Sequence, residues 1–224
     1  MLEDIIALQN KLFIQIPKSC IKDGLWRNLP PASKAVYPVI CKHINAHGVC
    51  FPSEATISKF AGVTEKTVRE GLAGLNDFPG YSRGKYITQR GHTAYRYILK
   101  PIRKDTKAIS ISHSFFNKYH WARLKPSGKC IYPILQYFSW WDCEVYKEVE
   151  GEDTLYDNCD IGDNPYPYRN YDFIDADWEH IAFFSGISIR SVNAAFESLV
   201  KNCFIEYHGT IEGRQTWKLF THPL

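Results

Sequence analysis

Phe51-Pro52-Ser53-Glu54-Ala55-Thr56-Ile57-Ser58-Lys59-Phe60-Ala61-Gly62-Val63-Thr64-Glu65-Lys66-Thr67-Val68-Arg69-Glu70-Gly71-Leu72-Ala73-Gly74-Leu75 is the stretch on which the fold turns. Ser53 follows a proline and opens a helical run, so its hydroxyl is placed to cap a helix that carries Ile57 and Phe60. Ala61-Gly62-Val63 then makes a tight turn, where Gly62 is free to take a positive φ. Thr64 caps a second helix, and Val68, Leu72 and Leu75 recur at i, i+4 and i+7, which turns them inward. Glu65, Lys66, Thr67, Arg69 and Glu70 fall between those positions and point outward.

Upstream, a helix is expected from about Ser33 to His47, with Val36, Ile40 and Ile44 on one face. Pro38 falls near its start and should kink it or disturb its first turn. Earlier still, Phe13-Ile14-Gln15-Ile16 alternates as a short strand does, and Pro17 ends it. Downstream, two extended runs, Lys85–Thr88 and Ala94–Leu99, flank Gln89-Arg90-Gly91-His92-Thr93. They form a β-hairpin with a basic tip, and Arg83, Lys85 and Arg96 flank it.

The pattern occurs twice. At a shift of 95 residues, Ile14, Ile16, Ser19, Trp26, Leu29, Pro31, Lys34, Tyr37 and Pro38 meet identical residues at 109, 111, 114, 121, 124, 126, 129, 132 and 133. Further on the shift is 124, where Ile57, Phe60, Gly62, Val68 and Leu75 meet Ile181, Phe184, Gly186, Val192 and Leu199. The second copy therefore carries 29 extra residues. Its own elements read as a helix over Trp178–Ser185, a turn at Gly186, a cap at Ser188, and Val192, Phe196 and Leu199 facing inward. A second hairpin, Phe204–Tyr207 with Thr216–Phe220, surrounds Ile211-Glu212-Gly213-Arg214. The matched helical, turn and hairpin signals define an α+β chain, mainly helical, with domains at 1–102 and 103–224.

The extra residues are acidic. Residues 142–179 hold thirteen acids and two bases, a net −11, and the chain totals +3, which leaves +14 on the rest. A basic body suits a polyanion. The insertion, at about 142–172, is expected to face away from such a ligand, docking a protein partner or covering the chain's own basic face. Its Asp153, Asp157, Asp160 and Asp163 lack the order of a calcium-binding loop. His43, His47 and Cys50 are spaced to share one side of a helix end, but histidines there more often meet the helix dipole. No metal and no cofactor are expected. Neither a Gly-rich phosphate loop nor a nucleophile elbow is present, so the chain is read as a non-enzyme. Seven cysteines without a C-x-x-C pair, no secretory signal and no apolar run of membrane length point to a reducing cytoplasm and no membrane.

The run Leu29…Ala35-Val36-Tyr37…His43…Asn45…Phe51-Pro52-Ser53…Gly62-Val63-Thr64-Glu65-Lys66-Thr67-Val68-Arg69…Leu75 resembles the winged helix-turn-helix domains of bacterial, plasmid and phage DNA-binding proteins. The resemblance covers about 13–99. It extends more loosely over 108–220, where the Phe-Pro-Ser signature is missing and the insertion interrupts the spacing. It implies two tandem winged helix-turn-helix domains, an organisation similar to that of plasmid replication initiators.

A helix presented by such a turn fits the DNA major groove and reads base edges near its N-terminus. The expected DNA contacts are Thr64, Glu65, Lys66, Thr67, Arg69 and Glu70, with Arg83, Lys85, Arg90, His92 and Arg96 on the first wing. Ser188, Arg190, Ser191, Asn193 and Arg214 are their counterparts in the second copy. The partner is double-stranded DNA, bound by a monomer or weak dimer. Transcriptional regulation is the leading role, with plasmid or phage replication initiation next. A winged-helix protein-interaction scaffold is the alternative of another class.

Overall fold

Two halves of like construction grow from the chain, and their helices share one core. The computed structural model describes residues 13–89, 91–100, 107–140, 171–175, 177–211 and 213–220. Of the acidic insertion, residues 141–170 lie outside the described residues, as do Arg90 and Glu212.

The first half begins with strand β1, Phe13–Pro17, then two short helices, α1 Lys18–Lys22 and α2 Leu25–Asn28. The long helix α3 runs Pro31–His43. It starts earlier than the sequence suggests because Pro31 takes the first helical position, where its missing N–H costs nothing. It also ends earlier: Ile44 leaves the helix, and the Asn45 side chain accepts from the backbone N–H of His47 and Val49 at 2.9 and 3.1 Å. The helix runs unbroken through Pro38, which sits in its middle and not near its start. Strand β2, Val49–Cys50, precedes helices α4, Glu54–Ala61, and α5, Glu65–Ala73. Strands β3, Tyr81–Ile87, and β4, Thr93–Leu99, form the hairpin, and β2 adds to it in the order β2-β4-β3.

The second half repeats this order. Strand β5 is Ala108–Ser112, followed by α6 Ser114–Asn117, α7 His120–Arg123 and the long α8 Pro126–Phe138. Strand β6, Tyr171–Asp175, precedes α9 Trp178–Ser185 and α10 Ile189–Lys201. Strands β7, Ile205–Ile211, and β8, Arg214–Phe220, close a sheet of order β6-β8-β7. Tyr171 and Asp172, assigned to the insertion from the sequence, are instead buried in β6. The acidic run conceals this strand, because Asp172 and Asp175, residues depleted in strands, interrupt Tyr171, Phe173 and Ile174.

The halves interlock about an approximate two-fold. Strands β1 and β5 pair antiparallel, Ile14 opposite Ile111 and Ile16 opposite Ile109. Trp26 Nε1 donates to the Cys130 carbonyl at 2.9 Å, and Trp121 Nε1 donates to the Ala35 carbonyl at 3.2 Å. Both indoles are fully buried. Each reaches a carbonyl of the other half's long helix, in the turn that precedes its internal proline. Proline removes a helical donor and loosens that turn, so its carbonyls can serve outside donors. One contiguous hydrophobic cluster includes Ile16, Trp26, Val36, Leu72, Trp121, Ile131, Phe196 and Leu199. A smaller one forms around Tyr171, Phe173 and Phe220 in the second sheet.

Candidate nucleic-acid interface

The first head, a pair of helices joined by a tight turn, is built by two caps and a glycine. Ser53 Oγ accepts from the Thr56 N–H at 3.0 Å and Thr64 Oγ1 from the Thr67 N–H at 3.2 Å, so α4 and α5 each begin where a hydroxyl satisfies a free amide. Between them Gly62 sits at φ 63°. A side chain there would also collide with the Ala122 carbonyl of the second half. Ser33 Oγ donates to the Gly71 carbonyl at 2.8 Å, which fastens α5 against α3.

With Val68 and Leu72 buried, Glu65, Lys66, Arg69 and Glu70 are exposed on the outer face of α5. The Thr64 and Thr67 hydroxyls lie 3.0 Å apart and serve the cap. Arg69 is not free: its Nη1 donates to Glu54 Oε2 at 3.0 Å across the helix pair. In the wing, Arg83 pairs in register with Tyr97 and Lys85 with Tyr95, so both cations share one face of the hairpin. The Arg83 guanidinium lies 4.7 Å from the Tyr95 ring centre. Arg96 stands opposite Gly84, on the other face. The three cations flanking the tip therefore divide between two faces, because strand alternation separates Arg96 from Arg83 and Lys85. His92 is exposed at the tip, its N–H donating to Thr88 Oγ1 at 3.1 Å. Arg90 lies outside the described residues.

The second head has the same order of elements and different chemistry. Gly186 sits at φ 68°, packed on the Arg27 carbonyl of the first half. Ser188 does not cap an amide, contrary to the expectation from sequence; its hydroxyl meets that of Ser191 at 2.8 Å. Arg190 and Asn193 are exposed and Ser191 half-buried. Arg214 is 74% exposed yet pairs with Asp175 at 3.4 Å. Asp175, Asp177, Trp178, Glu179, Ile189, Arg214 and Gln215 line an open cleft beside the start of α10. The last acids of the acidic block thus belong to this head. Asp177 caps α9 through the His180 N–H at 3.0 Å, a role that an aspartate just before a helical run could have signalled.

Beneath the heads lie two buried lysines that bond to carbonyl oxygens. Lys34 Nζ donates to the Ser185 carbonyl at 2.8 Å and the Arg27 carbonyl at 3.1 Å, tying the first half to the turn of the second head. Lys129 Nζ donates to the Leu124 carbonyl at 2.6 Å. Burial pushes Lys129 down to about 8 and lowers Lys34 as well. The sequence marks this matched pair only as a repeat identity.

The suggested metal ligands do not converge. The His43 ring packs on Phe60, centres 5.4 Å apart, and burial lowers its pKa, helped by Lys42. Cys50 is buried with its Sγ 3.7 Å from the Ile40 carbonyl. Among the described residues no group of three or more His, Cys, Asp or Glu could hold a metal ion, and no helix is long and apolar enough to cross a membrane.

Residues 27–78 match a family model described as a helix-turn-helix domain. The match spans α2 to the turn after α5, so the first half contains a helix-turn-helix unit of the kind that binds DNA. The chain matches no curated protein and no solved structure.

Proposed function

We propose that this chain is a sequence-specific double-stranded DNA-binding protein that acts by occupancy, as a transcriptional regulator. The observation that carries this reading is the α5 surface. Within the matched helix-turn-helix, Glu65, Lys66, Arg69 and Glu70 project from the first turns of a helix whose other face is buried. Beside it stands a wing bearing Arg83 and Lys85 on one face. Lys66 suits guanine or phosphate, Arg69 does so once it leaves Glu54, and the wing suits the neighbouring backbone.

In this reading the chain comprises two tandem winged helix-turn-helix modules, 1–102 and 103–224, and works as a cytoplasmic monomer. Arg190, Ser191 and Asn193 read a second, unlike half-site. The repeated element order and the pairing of β1 with β5 support it, since one chain then does what a symmetric dimer does elsewhere. The same two-headed build favours replication initiation at a plasmid or phage origin as the second role.

Selection of bound duplexes from a random DNA pool tests the function. The expected result is an asymmetric consensus over about two helical turns. Binding to it should weaken with salt at a log–log slope of roughly −5 to −9. Failure to enrich any sequence, with a flat salt response, would leave the protein-interaction scaffold as the function.

A further inference from the structure

The turn of the first head does not face open solvent on all sides. Gly62 lies against the backbone of Ala122, and α4 packs on α7 from the other half. Around this junction the side chains form a cation–aromatic stack. Phe60 stacks on Tyr119 with ring centres 5.4 Å apart. Lys42 Nζ lies 4.8 Å from the Phe60 centre and Lys59 Nζ 5.2 Å from the Tyr119 centre. Tyr119 holds a left-handed backbone at φ 59°, which turns the chain sharply between exposed Lys118 and α7, where exposed Arg123 follows Ala122.

Acids are scarce along the chain that builds this junction. Residues 24–53 and 106–141 contain neither aspartate nor glutamate, and at the start of α4 Glu54 is already paired with Arg69. The matching place in the second head is unlike it. By the repeat, Lys42, His43 and Lys59 correspond to Tyr137, Phe138 and Phe183. There the rings pack on one another, and Arg27 reaches over from the first half to sit 3.8 Å from the Phe183 ring centre. Lys18 Nζ also lies 5.8 Å from the Tyr137 ring centre, so cations meet rings in both heads. What is particular to the first head is the exposed pair Lys118 and Arg123, which correspond by the repeat to Asp23 and Asn28.

We infer that Lys59, Lys118 and Arg123 form a phosphate-contact patch, through which the second half of the chain grips the backbone of DNA bound at the first head. The patch rests on the DNA-binding reading proposed above and adds residues outside the helix-turn-helix match. Its position follows from the turn: α5 begins shortly after Gly62, and Gly62 touches the residue beside Arg123. A duplex that receives α5 in its major groove carries its sugar-phosphate strand past the turn. Lys59, held over the Tyr119 ring, loses little freedom on binding there, and Lys118 and Arg123 are exposed on either side of Tyr119 and Ala122. They neutralise phosphate without reading sequence.

The test uses the full chain and the duplex that wild type selects from a random pool. Lys118→Ala with Arg123→Ala should lower the steepness of the salt dependence by about two, one for each phosphate contact, and weaken all duplexes alike. Adding Lys59→Ala should remove about one more. A repeated selection should return the wild-type consensus. The charge-preserving pair Lys118→Arg with Arg123→Lys should keep the wild-type slope, which separates charge from folding. An unchanged slope in the alanine pair, or a changed consensus, would overturn the patch. Absence of salt-dependent binding by wild type itself would instead overturn the DNA-binding reading.

Discussion

At Gly62 two constraints coincide, and they can be separated by comparison with Gly91. Both have positive φ, 63° and 78°. A methyl group on Gly91 would meet nothing within 4 Å among the described residues, whereas at Gly62 the Ala122 backbone occupies that place. Gly91→Ala should cost about 1 kcal/mol for the left-handed backbone alone. Gly62→Ala should cost roughly 3 kcal/mol or more, since backbone must also move. Urea unfolding of the two variants measures the difference. On the exposed face of α5, Lys66→Ala should weaken DNA binding by ~1–3 kcal/mol in a titration if the proposed function holds. Glu54→Gln should strengthen it, because it removes a carboxylate and releases Arg69. Cys50 supplies a pH test: burial pushes its thiol up to about 12 from an ordinary 9.0. Its contribution to stability is thus present below pH 9 and lost as pH rises toward 12. The stability gap between wild type and Cys50→Ala should narrow by about 2 kcal/mol between roughly pH 8 and pH 10.5.

Helices α5 and α10 start from the same kind of residue, and the likeness stops there. Thr64 caps an amide through its side chain, and Ser188 has no such bond. Thr64→Ala should therefore cost about 1 kcal/mol, and Ser188→Ala distinctly less. Thermal unfolding followed by circular dichroism reads both. The caps at Ser53 and Thr64, the turn glycines and the inward-facing apolar residues were legible because each depends on residues within one or two helical turns, whereas the cap expected at Ser188 is absent. The short helices α1, α2, α6 and α7 were not, since four or five residues carry no periodicity. Strand β2 escaped for the same reason, with only two residues.

The halves are held together by elements that neither could satisfy alone. β1 has its hydrogen-bonding partner in β5, and each buried indole donates across the boundary. The chain should unfold in a single cooperative transition seen alike by tryptophan fluorescence and circular dichroism. A fragment of residues 1–102 should show no such transition, because it exposes Trp26 and the apolar faces of β1 and α3. Two separate transitions, or a fragment that melts cooperatively, would show that the modules fold independently. Trp121→Ala, far from α5 in sequence, should destabilise the first half as well, by about 3–5 kcal/mol overall.

The amino-acid sequence alone determined the local design: the capped helices, the turn between them, the hairpin, and the internal repeat that carries both into the second half. Those features follow from backbone stereochemistry and short-range periodicity, which neighbouring residues encode. Tertiary structure alone decided which charges are free. Arg69 and Arg214 read as exposed cations, yet carboxylates 15 and 39 residues away neutralise them. Lys34 and Lys129, marked by the sequence only as a repeat identity, are buried on backbone carbonyls. Lys118 and Arg123 belong beside the first head only because Gly62 packs on Ala122. Charge pairing depends on distance through space, and a folded chain brings together groups whose separation along the sequence says nothing of it.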